Sequence, residues 1–134
     1  MKNVLIVDTD EQFINRMNEF LFKEAGIKNV LTASTVQESL EQISKHKPDM
    51  ILLDLLPEDI NCFDAVEIIN RLTNSTRILI TSEIYNQEYC DAAFAAGADA
   101  FVDKHDFKDD ILTIINAVPK NIQFLFEKYL ISKN

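Results

Sequence analysis

Residues 49–54 read Asp-Met-Ile-Leu-Leu-Asp, four large apolar side chains in a row between two carboxylates, with Pro48 ahead of them. A strand with one wet face alternates apolar and polar residues. A strand apolar at every position must be covered on both faces, which demands a sheet with helices above and below it. Val4-Leu5-Ile6-Val7 repeats the pattern and also runs into acid, Asp8-Thr9-Asp10. Carboxylates are seldom buried unless paired or metal-bound. Asp54 at the end of a buried strand therefore has two roles open to it. It can cap the strand, the stronger reading from this strand alone. Or it can sit in the crevice outside the carboxyl ends of the strands, where open α/β sheets build their sites.

The rest of the chain settles the fold class. Asp10 can cap a helix near 11–25 that carries Phe13, Ile14, Met17 and Leu21 inward, and Gly26 supplies a left-handed stop. Val30–Ala33 is a short strand. Ser34 with Gln37 forms a capping box for a helix near 35–46. After the strand 48–53 and the loop 54–62 comes a helix near 63–72, with Val66, Ile69 and Leu72 on its inner face. Arg77–Thr81 is a fourth strand, followed by an Ala-rich helix near 86–96 that Gly97 ends. Ala100–Val102 is a fifth strand, and Asp106 can cap a helix near 107–117. Five strand–helix units in strict alternation predict a three-layer, doubly wound, five-stranded parallel sheet of flavodoxin-like order 2-1-3-4-5. Ile122, Leu125, Phe126, Tyr129 and Leu130 share one helical face, which predicts a sixth, C-terminal helix near 120–131 after Pro119.

A chain of 134 residues with 47% hydrophobic side chains is expected to form one domain with a substantial core. Its formal net charge of −9 opposes nonspecific binding to nucleic acid or anionic lipid. The apolar run before Asp8 is too short for a signal peptide or a membrane span, so a cytoplasmic location is expected. Cys62 and Cys90 lack metal-ligand spacing and are expected to stay reduced. No Gly-x-Gly-x-x-Gly or Walker-type loop is present to hold a nucleotide.

The predicted order brings four polar groups to one sheet edge: Asp8 with Thr9 and Asp10, Asp54, Thr81 with Ser82, and Lys104. Each has a plain reading. Asp10 is foremost a helix cap, Thr81 suits a strand end, and Lys104 alone reads as a solvated lysine. Together they are an inventory for phosphoryl transfer. Crowded carboxylates repel one another and attract a hard cation such as Mg²⁺, while a hydroxyl and an ammonium suit phosphoryl oxygens.

These segments resemble the CheY-like receiver domain of bacterial response regulators, over about residues 2–118. The resemblance rests on Val-Leu-Ile-Val-Asp8-Thr9-Asp10, on Pro48-Asp49-Met50-Ile51-Leu52-Leu53-Asp54-Leu55, on Thr81 after strand four, and on Ala96-Gly97-Ala98-Asp99-Ala100-Phe101-Val102-Asp103-Lys104. It implies a receiver domain at 1–118 and a helical extension at 119–134. It implies a signalling module of a two-component system, not an enzyme. Asp54 would accept a phosphoryl group from a histidine kinase or phosphotransfer protein. Asp8, Asp54 and the backbone carbonyl of Leu56 would hold Mg²⁺. Thr81 and Lys104 would contact the phosphoryl oxygens. Thr81 would then move toward Asp54, and Phe101 would turn inward behind it. Phe101 reads equally well as an ordinary strand aromatic.

Three departures from the family pattern bear on function. Thr9 stands where a second metal-binding Asp is usual, so Mg²⁺ binding is expected to be weak and the phosphorylation chemistry slow; Asp10 is a further candidate ligand beside it. His105 replaces a Pro after Lys104, so that peptide bond is expected to be trans and His105 an exposed loop residue. Cys62 replaces a Gly, so any positive φ in the loop after Asp54 is expected at Asn61. The leading reading is a stand-alone receiver that signals to a downstream protein target through the face of helix 4, strand 5 and helix 5. A homodimer through that face or through the C-terminal helix is a further expectation. No output domain is recognisable in the sequence. The alternatives are a degenerate receiver that binds proteins without phosphorylation and a small flavodoxin-like ligand binder.

Overall fold

The structure is a computed structural model, and it describes residues 3–116. The predicted C-terminal helix near 120–131, the extension 119–134 and any contact it makes lie outside the described residues. Among them, the chain alternates strands and helices: β1 (Asn3–Val7), α1 (Glu11–Lys23), β2 (Asn29–Ala33), α2 (Val36–His46), β3 (Met50–Asp54), α3 (Cys62–Leu72), β4 (Arg77–Ser82), α4 (Gln87–Ala96), β5 (Ala100–Asp103) and α5 (Lys108–Asn116). The five strands form one sheet in the order β2-β1-β3-β4-β5, all neighbours parallel. This is the flavodoxin-like architecture expected from the apolar runs.

Two core layers explain why the central strands have no polar alternation. Leu5, Val7, Ile51, Leu53, Ile78, Ile80 and Phe101 pack with residues of α2, α3 and α4. Val4, Ile6, Met50, Leu52, Leu79, Ala100 and Val102 pack with residues of α1 and α5. Each of these side chains other than Ala100, taken fully out of water, contributes about 1.5–3 kcal/mol toward folding. The strand ends are therefore held tightly, and so are the polar residues that follow them.

Several local expectations are corrected. The cap of α2 is Thr35, whose side chain accepts from the Glu38 amide, so the Ser34–Gln37 box is displaced by one residue. The amide of Ile111 donates to Phe107 O, which puts Phe107 rather than Asp106 at the cap position of α5. Leu72 is 53% exposed because it stands in the last turn of α3, beyond the sheet. Asn61 has φ −55 and ψ 133. It caps α3 by accepting from the Phe63 amide at 2.8 Å, a role that needs extended backbone and excludes the left-handed region. Positive φ at a non-glycine falls instead on Lys47, φ 47, where α2 stops before Pro48. No described peptide bond is cis, so Lys104–His105 is trans, and His105 is exposed.

Candidate functional site

The sheet register places the acceptor candidate. Asp54 of β3 lies opposite Thr81 of β4, and Ser82 lies opposite Asp103 of β5. Leu55 N–H donates to Thr81 O at 2.9 Å, and Lys104 N–H donates to Ser82 O at 2.8 Å. Three parallel strands thus end at the same level, and the residues after them converge. Asp8 follows β1 directly and is 4% exposed. Its Oδ1 accepts from the Asp10 amide at 2.9 Å, which fixes the carboxylate at the mouth of the sheet.

Lys104 joins the edge into one cluster. Its Nζ lies 2.7 Å from Asp8 Oδ2 and 3.2 Å from Asp54 Oδ1. The same ammonium stands 4.8 Å from the centroid of the Phe13 ring, a cation–π contact from inside α1. Lys104 is 4% exposed. It is the surface lysine of the plain reading turned into a buried tie between two acids. The two carboxylates and one ammonium leave a net negative charge in a partly dry crevice.

The titration of these groups follows from that arrangement. Burial raises the Asp54 carboxyl above its ordinary value, and the neighbouring Asp8 charge adds to the rise, while Lys104 and the Leu56 amide oppose it. Burial pulls Lys104 down, but the bond to Asp8 and the charges of Asp54 and Asp8 outweigh it, so its proton is held more tightly than usual. Burial pushes the Cys62 thiol up to about 12, with the Asp54 charge a further cause, so Cys62 stays a neutral thiol that packs in the core.

Thr81 is 1% exposed, and its Oγ1 has no hydrogen-bond partner among the described residues. A buried hydroxyl normally finds one, and leaving it unpaired costs roughly 1–3 kcal/mol. Beside Asp54 it is a donor held ready for an incoming oxygen. The other predicted residues fall differently. Asp10 Oδ1 accepts from Gln12 and Phe13 amides at 3.1 and 3.2 Å, so it takes the capping role and does not join the cluster around Lys104. Thr9 is exposed. Leu56 projects an apolar side chain, 71% exposed, while its backbone N–H is near enough to Asp54 to oppose the rise of that carboxyl. Phe101 is already 2% exposed, so the expected inward turn has no outward starting point in this structure.

The donor set fits Mg²⁺ sparingly. The Asp8 and Asp54 carboxylates are hard oxygens, and Mg²⁺ keeps several waters in such sites. No group of three His, Cys, Asp or Glu side chains among the described residues is arranged to hold a metal.

A family model, the response regulator receiver domain, matches residues 4–116. The chain belongs to that family. Receiver domains are signalling modules of two-component systems, and CheY-like proteins are among the relatives of this one. Chemotaxis protein CheY of Thermotoga maritima is 29% identical over 89% of this chain and 98% of its own length. Transcriptional regulatory protein YvrH of Bacillus subtilis is 26% identical over 76% of this chain but 42% of its own length, so the chain spans under half of that relative. A solved response regulator protein from Burkholderia pseudomallei, with a phosphorylated aspartic acid, calcium ion and citrate, superposes with TM-score 0.82 at 21% identity, covering 100% of this chain and 76% of that one. No helix of the described residues is long and apolar enough to cross a membrane.

Two features of the site escaped the sequence. The Phe13 ring beside Lys104 reads as an ordinary core aromatic of α1. Asp59, like Glu58, reads in sequence as an acidic loop residue that tunes access to Asp54, and no motif marks its bonds to the amides that open α2.

Proposed function

We propose that this receiver accepts a phosphoryl group on Asp54 from a histidine kinase or phosphotransfer protein, and passes the signal on through protein contacts. The observation that carries the reading is Lys104 Nζ held 3.2 Å from Asp54 and 2.7 Å from Asp8, beside a Thr81 hydroxyl with no partner among the described residues. Asp54 attacks the donor's phosphorus through a carboxylate oxygen, and the donor nitrogen leaves with the bonding pair. Lys104 and Thr81 take two of the phosphoryl oxygens, so charge that develops there meets an ammonium and a hydroxyl already in place. Asp8, Asp54 and the Leu56 carbonyl would hold Mg²⁺, which supplies charge neutralisation between acceptor and phosphoryl group. Thr9 contributes no charge to that ion, so the site works at high Mg²⁺ and slowly.

In this reading Thr81 is the moving part. Its hydroxyl gains a partner on phosphorylation, which biases the β4–α4 segment above it. Phe101 stays in the core throughout. Incubation with Mg²⁺ and a small phosphodonor should add one phosphoryl mass to the intact protein, and Asp54→Asn should add none. Modification that persists in Asp54→Asn removes Asp54 as the acceptor. Failure of the wild type to gain mass favours a receiver that binds its partners unphosphorylated.

A further inference from the structure

The segment between β3 and α3 carries the Leu56 carbonyl, and it is pinned at both ends. Leu55 N–H donates to Thr81 O at its start, and Asn61 caps α3 at its end. Between them, Asp59 reaches to a different element. Its Oδ1 accepts from the Val36 amide at 3.0 Å and its Oδ2 from the Gln37 amide at 2.9 Å. These are first-turn donors of α2 that the helix itself cannot satisfy. The arrangement places a carboxylate at the positive end of the helix dipole, with two charge-assisted bonds. The donated amides outweigh partial desolvation and hold the Asp59 carboxyl below its ordinary value.

Capping of α2 does not by itself require Asp59. Thr35 accepts from the Glu38 amide at 3.1 Å, and Glu38 Oε2 takes the Ser34 amide at 3.1 Å. The two Asp59 bonds therefore hold the segment as much as the helix. The segment has no glycine and, among the described residues, no positive φ, so its course depends on these bonds. Pro57 removes one soft dihedral between Leu56 and Asp59, and Ile60 packs against the core. Leu56 lies three residues before Asp59 along this segment and directly follows Leu55, which is fixed to Thr81 O.

We propose that Asp59 is a positioning residue: its bonds to the α2 amides hold the segment bearing the Leu56 carbonyl in register with Asp54 for a divalent cation. This rests on reading Asp54 as a metal-assisted phosphoryl acceptor. It makes α2, which touches none of the proposed phosphoryl contacts, part of the support of the site. With Thr9 giving no charge to the ion, a fixed backbone ligand carries more of the binding.

The experiment uses the full chain and Mg²⁺ alone, followed by Mg²⁺ with a small phosphodonor. Asp59→Ala should raise half-saturating Mg²⁺ about tenfold, the usual scale for losing an outer-shell support. The phosphorylation rate at saturating Mg²⁺ should stay near wild type, and amide exchange should quicken across residues 56–60. Adding Thr35→Asp to Asp59→Ala should restore exchange protection at the start of α2 without restoring Mg²⁺ affinity. If that double variant regains wild-type affinity, the effect passes through helix stability and the positioning role is overturned. Unchanged half-saturation in Asp59→Ala overturns it too, while leaving Asp54 as acceptor. A wild type that neither binds Mg²⁺ nor gains a phosphoryl group overturns both readings. Should Asp59→Ala fail to fold, Asp59→Asn keeps one accepting oxygen and gives the same comparison with a smaller shift.

Discussion

The two ends of the sheet are both polar, and they treat polarity in opposite ways. At the amino end of the strands lies an opening of about 730 Å³, lined by residues that include Lys47, Pro48, Asp49, Arg71, Thr73 and Thr76. Its buried groups are matched internally. Asp49 Oδ2 accepts from the Asn3 amide at 2.9 Å, and Thr76 Oγ1 donates to Pro48 O at 2.8 Å. At the carboxyl end, two acids share one ammonium and the Thr81 hydroxyl has no partner among the described residues. The amino end spends its polar groups on closing the fold. The carboxyl end keeps polar capacity in reserve, at a cost in stability, and that reserve is what marks the chemistry.

The comparison breaks most visibly at Lys104. Lys104→Ala leaves Asp8 buried without its counter-ion, and stability in urea should fall by about 3 kcal/mol. A loss under half that size would mean water already screens the cluster. Thr76→Val tests the amino end. It removes the donor to Pro48 O and should cost about 1.5 kcal/mol by the same measurement, while leaving phosphodonor reactivity unchanged. Reduced reactivity there would show that the two ends are coupled.

Thr9→Asp sharpens the contrast by adding charge where the site is short of it. Mg²⁺ affinity should tighten about fivefold, or ~1 kcal/mol, in a direct titration. Equal affinity would mean that position 9 does not face the ion. The smallest effect is expected from pH. Because the folded protein raises the Asp54 proton affinity, it binds more protons there than the unfolded chain does, and stability falls as pH rises through a window above the ordinary carboxylate range. Asp54→Asn has no such loss. It should be more stable than wild type at neutral pH and converge with it in acid, read from urea midpoints across pH. A wild type whose midpoint rises through that window would reverse the sign assigned to Asp54.

Much of this was legible from local pattern. The consecutive apolar runs at Val4–Val7 and Met50–Leu53 require cover on both faces, and alternation with helical segments then leaves few arrangements beyond order 2-1-3-4-5. Capping by Asp10 was readable because a cap and its amides lie within a few residues of each other. Asn61 was misjudged on the same scale: an Asn suits either a left-handed turn or a cap, and only the placed helix α3 chooses between them.

The chain by itself determined which strands are buried on both faces, roughly where they end and which polar groups follow those ends, because a run of consecutive apolar residues is written in neighbouring positions. Only the tertiary structure decided that Lys104 reaches both Asp8 and Asp54, that Phe13 supports it, that the Thr81 hydroxyl has no partner among the described residues, and that Asp59 bonds α2. Those partners are far apart along the chain. A hydrogen bond or ion pair between them is set by how the layers bring them together, and no spacing in the sequence carries that distance.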